Sequence, residues 1–316
     1  MPASKTGVDR VCILLGLYNG AKDLPAQLQS FADQSHGLWD LIASDDGSTD
    51  EGPAILHAFA ARRASAGHRV DLVSGPRQGF AANFLSLIAR APATVEWMAL
   101  SDQDDVWLPD RLQRGISTLS ALPRDRPALY CSATVITDER LENHRASARF
   151  VRPPGFRNAL VQNIAAGNTI LLNQAAARLA RTEAARGSRP PSHDWWLYQL
   201  ITGCGGTVIR DPEPTVLYRQ HGDNLVGAND GWRARARRIS MLLDGQFADW
   251  NDANIAALRL SQAHLTPQNR ALLESFAALR VQPRATRLRN LARLGLYRQG
   301  RLGQAALWLA AVMGKL

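Results

Sequence analysis

The chain has 316 residues, 46% of them hydrophobic and 21% charged, with a net charge of +9. That is a globular composition, enough for one large α/β domain alone or with a helical appendage. No apolar run reaches the roughly 20 residues that span a bilayer, residues 1–10 lack a signal peptide's apolar core, and the three cysteines, Cys12, Cys131 and Cys204, are widely spaced; this reads as buried thiols in a reducing, cytoplasmic protein rather than a disulfide frame or a metal cluster.

Residues 11–15 are an apolar run that predicts a strand, followed by the turn Tyr18-Asn19-Gly20, and Leu24, Leu28 and Phe31 then recur at helical spacing. A second strand over 39–43 leads into Ser44-Asp45-Asp46-Gly47-Ser48-Thr49-Asp50, and a helix continues over 55–63. A strand at 70–73, a helix at 80–89, a strand at 97–100, a helix at 108–122 and a strand at 129–134 complete the regular part. Strands alternating with helices of this length predict βαβ units and a mostly parallel sheet. Residues 138–160 read as surface loop. Beyond them come a strand at 169–172, a helix at 174–185, a helix opening at 194, and strands at 207–209 and 215–219. From Gly231 onward the pattern is helical only.

The chemistry concentrates at strand ends. Trp97-Met98-Ala99-Leu100 runs into Asp102-Gln103-Asp104-Asp105-Val106-Trp107, which places three carboxylates within four residues at the carboxyl end of a buried strand, where open α/β sheets bind ligands. Crowded carboxylates repel unless a cation or protons neutralise them, and hard oxygen ligands suit Mg²⁺ or Mn²⁺. The plainer reading is a solvated acidic loop, with Asp110 beside Pro109 capping the next helix. Asp45 and Asp46 after the second strand suit a ribose or a base N–H, or else an Asx-turn with Gly47 and a helix cap. His193-Asp194-Trp195-Trp196 marks a helix start. No glycine-rich phosphate loop is present, so a nucleotide here depends on carboxylates and metal.

These motifs resemble the family 2 glycosyltransferases of the GT-A fold, in their bacterial rhamnosyltransferase-like branch. The residues that carry the resemblance are Leu17-Tyr18-Asn19-Gly20, the segment from Ser44 to Asp50, the segment from Asp102 to Trp107, His193-Asp194-Trp195-Trp196 and Tyr218-Arg219-Gln220-His221-Gly222-Asp223-Asn224, spanning residues 9–228. The resemblance implies an α/β, Rossmann-like, mostly parallel sheet flanked by helices, with a helical appendage after it. It implies an inverting transfer of a sugar, rhamnose among the candidates, from a UDP- or dTDP-sugar to a glycan or lipid-linked acceptor in surface polysaccharide synthesis.

Position by position, Asp102 and Asp104 match the D-x-D pair that holds Mg²⁺ or Mn²⁺ and the donor diphosphate. Asp45 and Asp46 match the carboxylates that read base and ribose, Tyr18 and Asn19 the loop flanking the nucleotide, and Asn83 a polar position near the donor. Asp194 matches the general base, with Trp195 and Trp196 as walls that would desolvate it. The plainer readings are a helix cap for Asp194 and core packing for the indoles. His221 matches a position that ligates metal or touches the diphosphate, against a hydrogen-bonded surface histidine. Arg219 pairs either with phosphate or with Asp223. Asp105 adds a third carboxylate, which leaves open which two bind metal. A sugar nucleotidyltransferase or a non-catalytic sugar-nucleotide-binding protein are the competing functions. The first would want a glycine-rich, lysine-bearing N-terminal loop, which residues 16–22 fit poorly.

Charge divides the chain. Residues 1–230 hold 23 Lys and Arg against 24 Asp and Glu, a net of −1, whereas residues 231–316 hold 14 against four, a net of +10. The expectation is a nucleotide-sugar domain over 1–230 and a basic amphipathic region over 231–316. Trp232, Ala236, Ile239 and Leu243 form one stripe flanked by Arg233, Arg235, Arg237 and Arg238, and Leu288, Leu291, Leu294, Leu302, Leu307 and Leu309 a second pattern. Such helices bind anionic membrane surfaces peripherally or else cap the catalytic part. Nucleic acid is not an expected partner, since the chain has no nucleic-acid motif and 7% aromatics.

Overall fold

A computed structural model describes residues 9–220 and 245–316. His221 and the segment from Trp232 to Leu243, with its four arginines, lie outside the described residues. Strands β1 (Val11–Leu17), β2 (Trp39–Asp45), β3 (Val70–Ser74) and β4 (Trp97–Ser101) alternate with helices α1 (Leu24–Ala32), α2 (Gly52–Ala64) and α3 (Phe80–Arg90). They lie parallel in the order β3-β2-β1-β4, with Leu15 level with both Ala43 and Ser101. The carboxyl ends of β1, β2 and β4 therefore share one edge.

Beyond β4 the sheet becomes mixed. β8 (Leu171–Asn173) pairs antiparallel with β4 and with β6 (Ala128–Thr137), and β9 (Thr207–Arg219) runs parallel to β6. The short β5 (Val106–Trp107) is the end of the acidic motif itself and pairs antiparallel with β9. β9 is continuous where the sequence suggests two strands. Its register against β6 shifts around Ser132 and Ala133, which accommodates Asp211-Pro212-Glu213-Pro214. The stretch 138–160 is not wholly loop: β7 (Arg145–Ala146) pairs with β6, and Phe156–Ala159 forms a helical turn, α5.

Both faces of the central strands β1 and β4 are covered, which is why their sequences are nearly continuously apolar. On one face Val11, Ile13, Leu15 and Leu17 meet Leu24, Leu28 and Phe31 of α1 and Leu112, Ile116 and Leu119 of α4 (Arg111–Ser120). On the other, Cys12, Leu14, Met98 and Leu100 meet Phe84, Leu87 and Ile88 of α3, Ala176 and Ala180 of α6 (Gln174–Ala184), and α7 (His193–Gly203).

The C-terminal helices α8 (Gln246–Leu260), α9 (Pro267–Arg280), α10 (Arg284–Leu294) and α11 (Arg301–Met313) extend this second core. Leu258, Leu273, Phe276, Leu291 and Leu307 join the cluster that contains Leu197, Leu200 and Ile201 of α7. Each fully buried side chain of this kind contributes roughly 2 kcal/mol relative to an exposed one.

Candidate functional site

The loops after β1, β2 and β4 are tied to one another by side chains from the predicted motifs. Asn19 takes a left-handed backbone (φ 48°), its N–H donates to Ser48 Oγ at 2.9 Å, and its Oδ1 accepts from Thr49 N–H at 2.8 Å. Asp50 accepts from Ala21 N–H at 2.7 Å and from Gly52 N–H at 3.0 Å. Gln103 bonds the Tyr18 backbone twice, through its Oε1 and its Nε2. The Tyr18 ring itself is exposed at 58%.

Asp45 and Asp46 take different places. Asp45 Oδ1 accepts from Ser48 N–H at 2.9 Å, three residues on, so it braces its own turn through Ser48 rather than through an Asx-turn on Gly47. Asp46 is buried and accepts from Arg77 N–H at 2.6 Å and Gly79 N–H at 2.8 Å, so it holds the loop that enters α3. Asn83 is also buried. Its Nδ2 donates to the Ser44 carbonyl at 2.9 Å, while its Oδ1 has no partner among the described residues. A Cβ at Gly75 would sit 2.6 Å from that oxygen, so Gly75 is what lets the chain pass.

The three carboxylates of the acidic motif also separate. Asp105 is fully buried, receives Asn168 Nδ2–H at 2.5 Å and the Arg219 N–H at 3.1 Å, and has its carboxyl pushed well above the usual range by burial and by Asp104 and Asp102. Its oxygens are engaged inside the fold. Asp102 is partly buried, and its carboxylate has no hydrogen bond among the described residues. Burial, then the charges of Asp104 and Asp194, push its carboxyl above the usual range. Asp102 thus lies within electrostatic reach of both Asp104 and Asp194.

Two arginines brace this loop. Arg219 is buried; its Nε donates to the Asp104 carbonyl at 2.8 Å, its Nη1 to the Glu139 carbonyl, and it pairs with Asp23 at 3.2 Å. Arg111 is buried beneath the loop, 3.3 Å over the Trp107 ring, and its Nη2 donates to Asn168 O at 2.7 Å and Leu100 O at 3.0 Å. Burial lowers its pKa to about 9.

Asp194 stands in the first turn of α7, whose N-cap is Ser192. Its Oδ1 accepts from Trp195 N–H at 2.6 Å and from Ser192 Oγ–H, and its Oδ2 accepts from Gly167 N–H at 3.2 Å. An ionised carboxylate offers about four acceptor positions, so capacity remains for a substrate proton. The indoles turn inward rather than walling it. Trp196 is fully buried in the core, and Trp195 donates its Nε1–H to Ala159 O at 2.7 Å and packs edge-on against Trp250. The ring next to the carboxylate in sequence is His193, buried, stacked on Phe84 with centroids 4.0 Å apart, and lowered by burial to about 4.

Sequence reasoning did not single out Gln103, Arg111, Asn168, Gly167 or His193 as site residues. Gln103 and His193 lay inside quoted motifs. Nothing local marks the other three.

Among the described residues no three His, Cys, Asp or Glu side chains form a metal cluster. The uncompensated Asp102 beside Asp104 fits instead a divalent cation held by one or two carboxylates and completed by substrate phosphates.

Over residues 12–182 the chain matches the model of glycosyl transferase family 2. It is 25% identical over 250 residues to the dTDP-rhamnosyl transferase RfbG of Shigella flexneri, covering 72% of this chain and 78% of that one. It is 30% identical over 111 residues to the putative glycosyltransferase EpsE of Bacillus subtilis, covering 35% of this chain and 38% of that one. Among solved structures, S. aureus TarS 1–349 aligns over 90% of each chain with a TM-score of 0.49 and 13% identity.

Proposed function

The chain belongs to glycosyl transferase family 2, and from that membership we propose that it transfers a sugar, with inversion, from a UDP- or dTDP-sugar to a glycan or lipid-linked acceptor in surface polysaccharide synthesis on the cytoplasmic side. The relative RfbG, named for dTDP-rhamnose, favours rhamnose as the sugar. The observation that carries the reading is the acidic edge: Asp102 carries no hydrogen bond among the described residues and feels the charges of Asp104 and Asp194.

In this reading Asp102 and Asp104 would hold Mg²⁺ or Mn²⁺, which when bound would supply Lewis-acid stabilisation of the leaving diphosphate. Asp194 accepts the proton of the acceptor hydroxyl as that oxygen attacks the anomeric carbon. The Ser192, Trp195 and Gly167 bonds fix the carboxylate's orientation for that step. Tyr18 offers an exposed ring at the nucleotide end. Asp45, Asp46 and Asn83 shape the loop bearing the base and ribose, and Arg219 holds the acidic loop from below.

The test is a donor screen. UDP-, dTDP- and GDP-sugars are incubated with the protein and Mn²⁺, Mg²⁺ or EDTA, and nucleoside diphosphate release is followed. Release from dTDP-rhamnose that stops with EDTA is expected. Release insensitive to EDTA would remove the cation from the reading, and release from no donor would remove the activity.

A further inference from the structure

One helix at the C-terminal end of the chain presents an uncovered apolar face. α11 (Arg301–Met313) buries Leu307, Ala310 and Ala311 in the core. On its other side Leu302 is 75% exposed, Leu309 47%, Met313 37% and Trp308 36%. At about 100° per residue Leu302, Ala305, Leu309 and Met313 fall on one arc, with Trp308 at its edge. Single exposed apolar residues are ordinary, whereas a contiguous row of them marks an interaction surface.

The C-terminal sequence around this helix carries charge of one sign. Residues 281–316 hold seven Lys and Arg and no Asp or Glu. Arg287 in the first turn of α10 (Arg284–Leu294) donates its Nη1–H to Ala311 O at 2.8 Å, in the last turn of α11, so the two helices lie antiparallel side by side. Arg284, Arg289 and Arg293 of α10 and Arg301 of α11 are exposed.

We propose that this face is a docking surface for a bilayer with anionic headgroups. The leucines and Trp308 enter the boundary between headgroups and acyl chains while the arginines meet the lipid phosphates. An exposed apolar helix face accompanied by exposed basic residues on it and on the helix packed against it suits a membrane interface, and an indole suits that depth. A second copy is disfavoured as occupant, because it would bring the same positive charge against this one. Among the described residues no helix is long and apolar enough to cross a membrane, so the contact is peripheral. The inference rests on the proposed reaction only in that a lipid-linked acceptor would be presented at such a surface.

Flotation of the full chain with vesicles tests it, without any donor. Vesicles of phosphatidylcholine alone are compared with phosphatidylcholine mixed with phosphatidylglycerol, at low and high salt. The protein should float with the anionic vesicles at low salt. Leu302→Ser with Leu309→Ser should weaken binding by about tenfold or more, as should Arg289→Glu with Arg293→Glu, with unchanged thermal melting. Undiminished flotation of the leucine variant would overturn the proposal, as would no binding of the wild type to either vesicle. A dimer, seen by sedimentation velocity without lipid and broken by the leucine pair, would assign the face to a second copy and equally overturn it. Donor cleavage in lipid-free buffer reports separately on the reaction.

Discussion

Gln103 is bonded to the backbone of Tyr18 through both polar atoms of its side-chain amide: Tyr18 N–H donates to its Oε1 at 2.7 Å, and its Nε2 donates to the Tyr18 carbonyl at 2.8 Å. The side chain thus imitates a strand neighbour and locks the loop after β1 to the acidic loop after β4. A Cβ on Gly20 would run into the same amide. Replacing Gln103 with Ala leaves two backbone groups to water and frees the loop. The expected result is a donor affinity lower by roughly tenfold and a stability loss of about 1–2 kcal/mol. Calorimetric titration with nucleotide and a urea melt measure the two, and wild-type affinity would discount the clip.

Asp104→Ala should abolish transfer and remove the dependence of nucleotide binding on Mn²⁺. Calorimetry with nucleoside diphosphate, with and without Mn²⁺, gives a readout independent of turnover. An equal gain in nucleotide affinity on adding Mn²⁺ in wild type and variant would place the cation elsewhere. Asp105→Asn should instead act as a folding defect, since Asp105 is closed off by Asn168 and Arg219.

Asp194→Asn retains an oxygen for Trp195 N–H but cannot take a proton. The transfer rate should fall by roughly 10²-fold or more with nearly unchanged donor affinity. A fall in melting temperature that accounts for the lost rate would return Asp194 to a helix-capping role.

Asp211 gives a pH prediction away from the acidic edge. Burial raises its carboxyl, but Arg114, the Glu213 N–H and the Tyr130 hydroxyl outweigh burial and leave it below the usual carboxylate value. A carboxyl lowered in the folded state stabilises above its unfolded pKa, and that stability is lost as pH falls through its folded value. Asp211→Asn should therefore cost about 1 kcal/mol near neutrality, after allowing for partial exposure, and the difference should vanish in acid. Melting temperatures of both proteins from neutral pH downward check this; a constant gap across the range would contradict it.

The centre of the parallel half was legible because β1 and β4 are covered on both faces and read as unbroken apolar runs, Val11 to Leu15 and Trp97 to Leu100. The mixed half was not. β8 is three residues long and its direction is set by pairing with β4 and β6, information that no local period carries. Pro212 and Pro214 look like breakers in sequence, yet β9 absorbs them at a register shift. The helix expected from Leu108 begins at Arg111, since Pro109 and Asp110 still belong to the turn before it.

In the site, the acidic positions were visible as types at strand ends, but their division of labour was not. Nothing in Asp102-Gln103-Asp104-Asp105 says that the last is sealed inside by Asn168, 63 residues away. Arg111 looks like a solvated residue in the first turn of a helix. Its burial depends on the carbonyls of Leu100 and Asn168 converging on it. The indoles of Trp195 and Trp196 could be placed beside Asp194 but not aimed, because which side of α7 faces the core is decided by α5, β6 and the C-terminal helices.

That placement of α7 limits how such enzymes can be recombined. Asp194 occupies its first turn, Trp195 packs edge-on against Trp250 of α8, and Leu200 and Ile201 share a core with α9 and α10. A chimera that exchanged the last four helices with those of a relative would also replace the floor on which the proposed base stands. A graft of the C-terminal helices therefore requires that α7 travel with them.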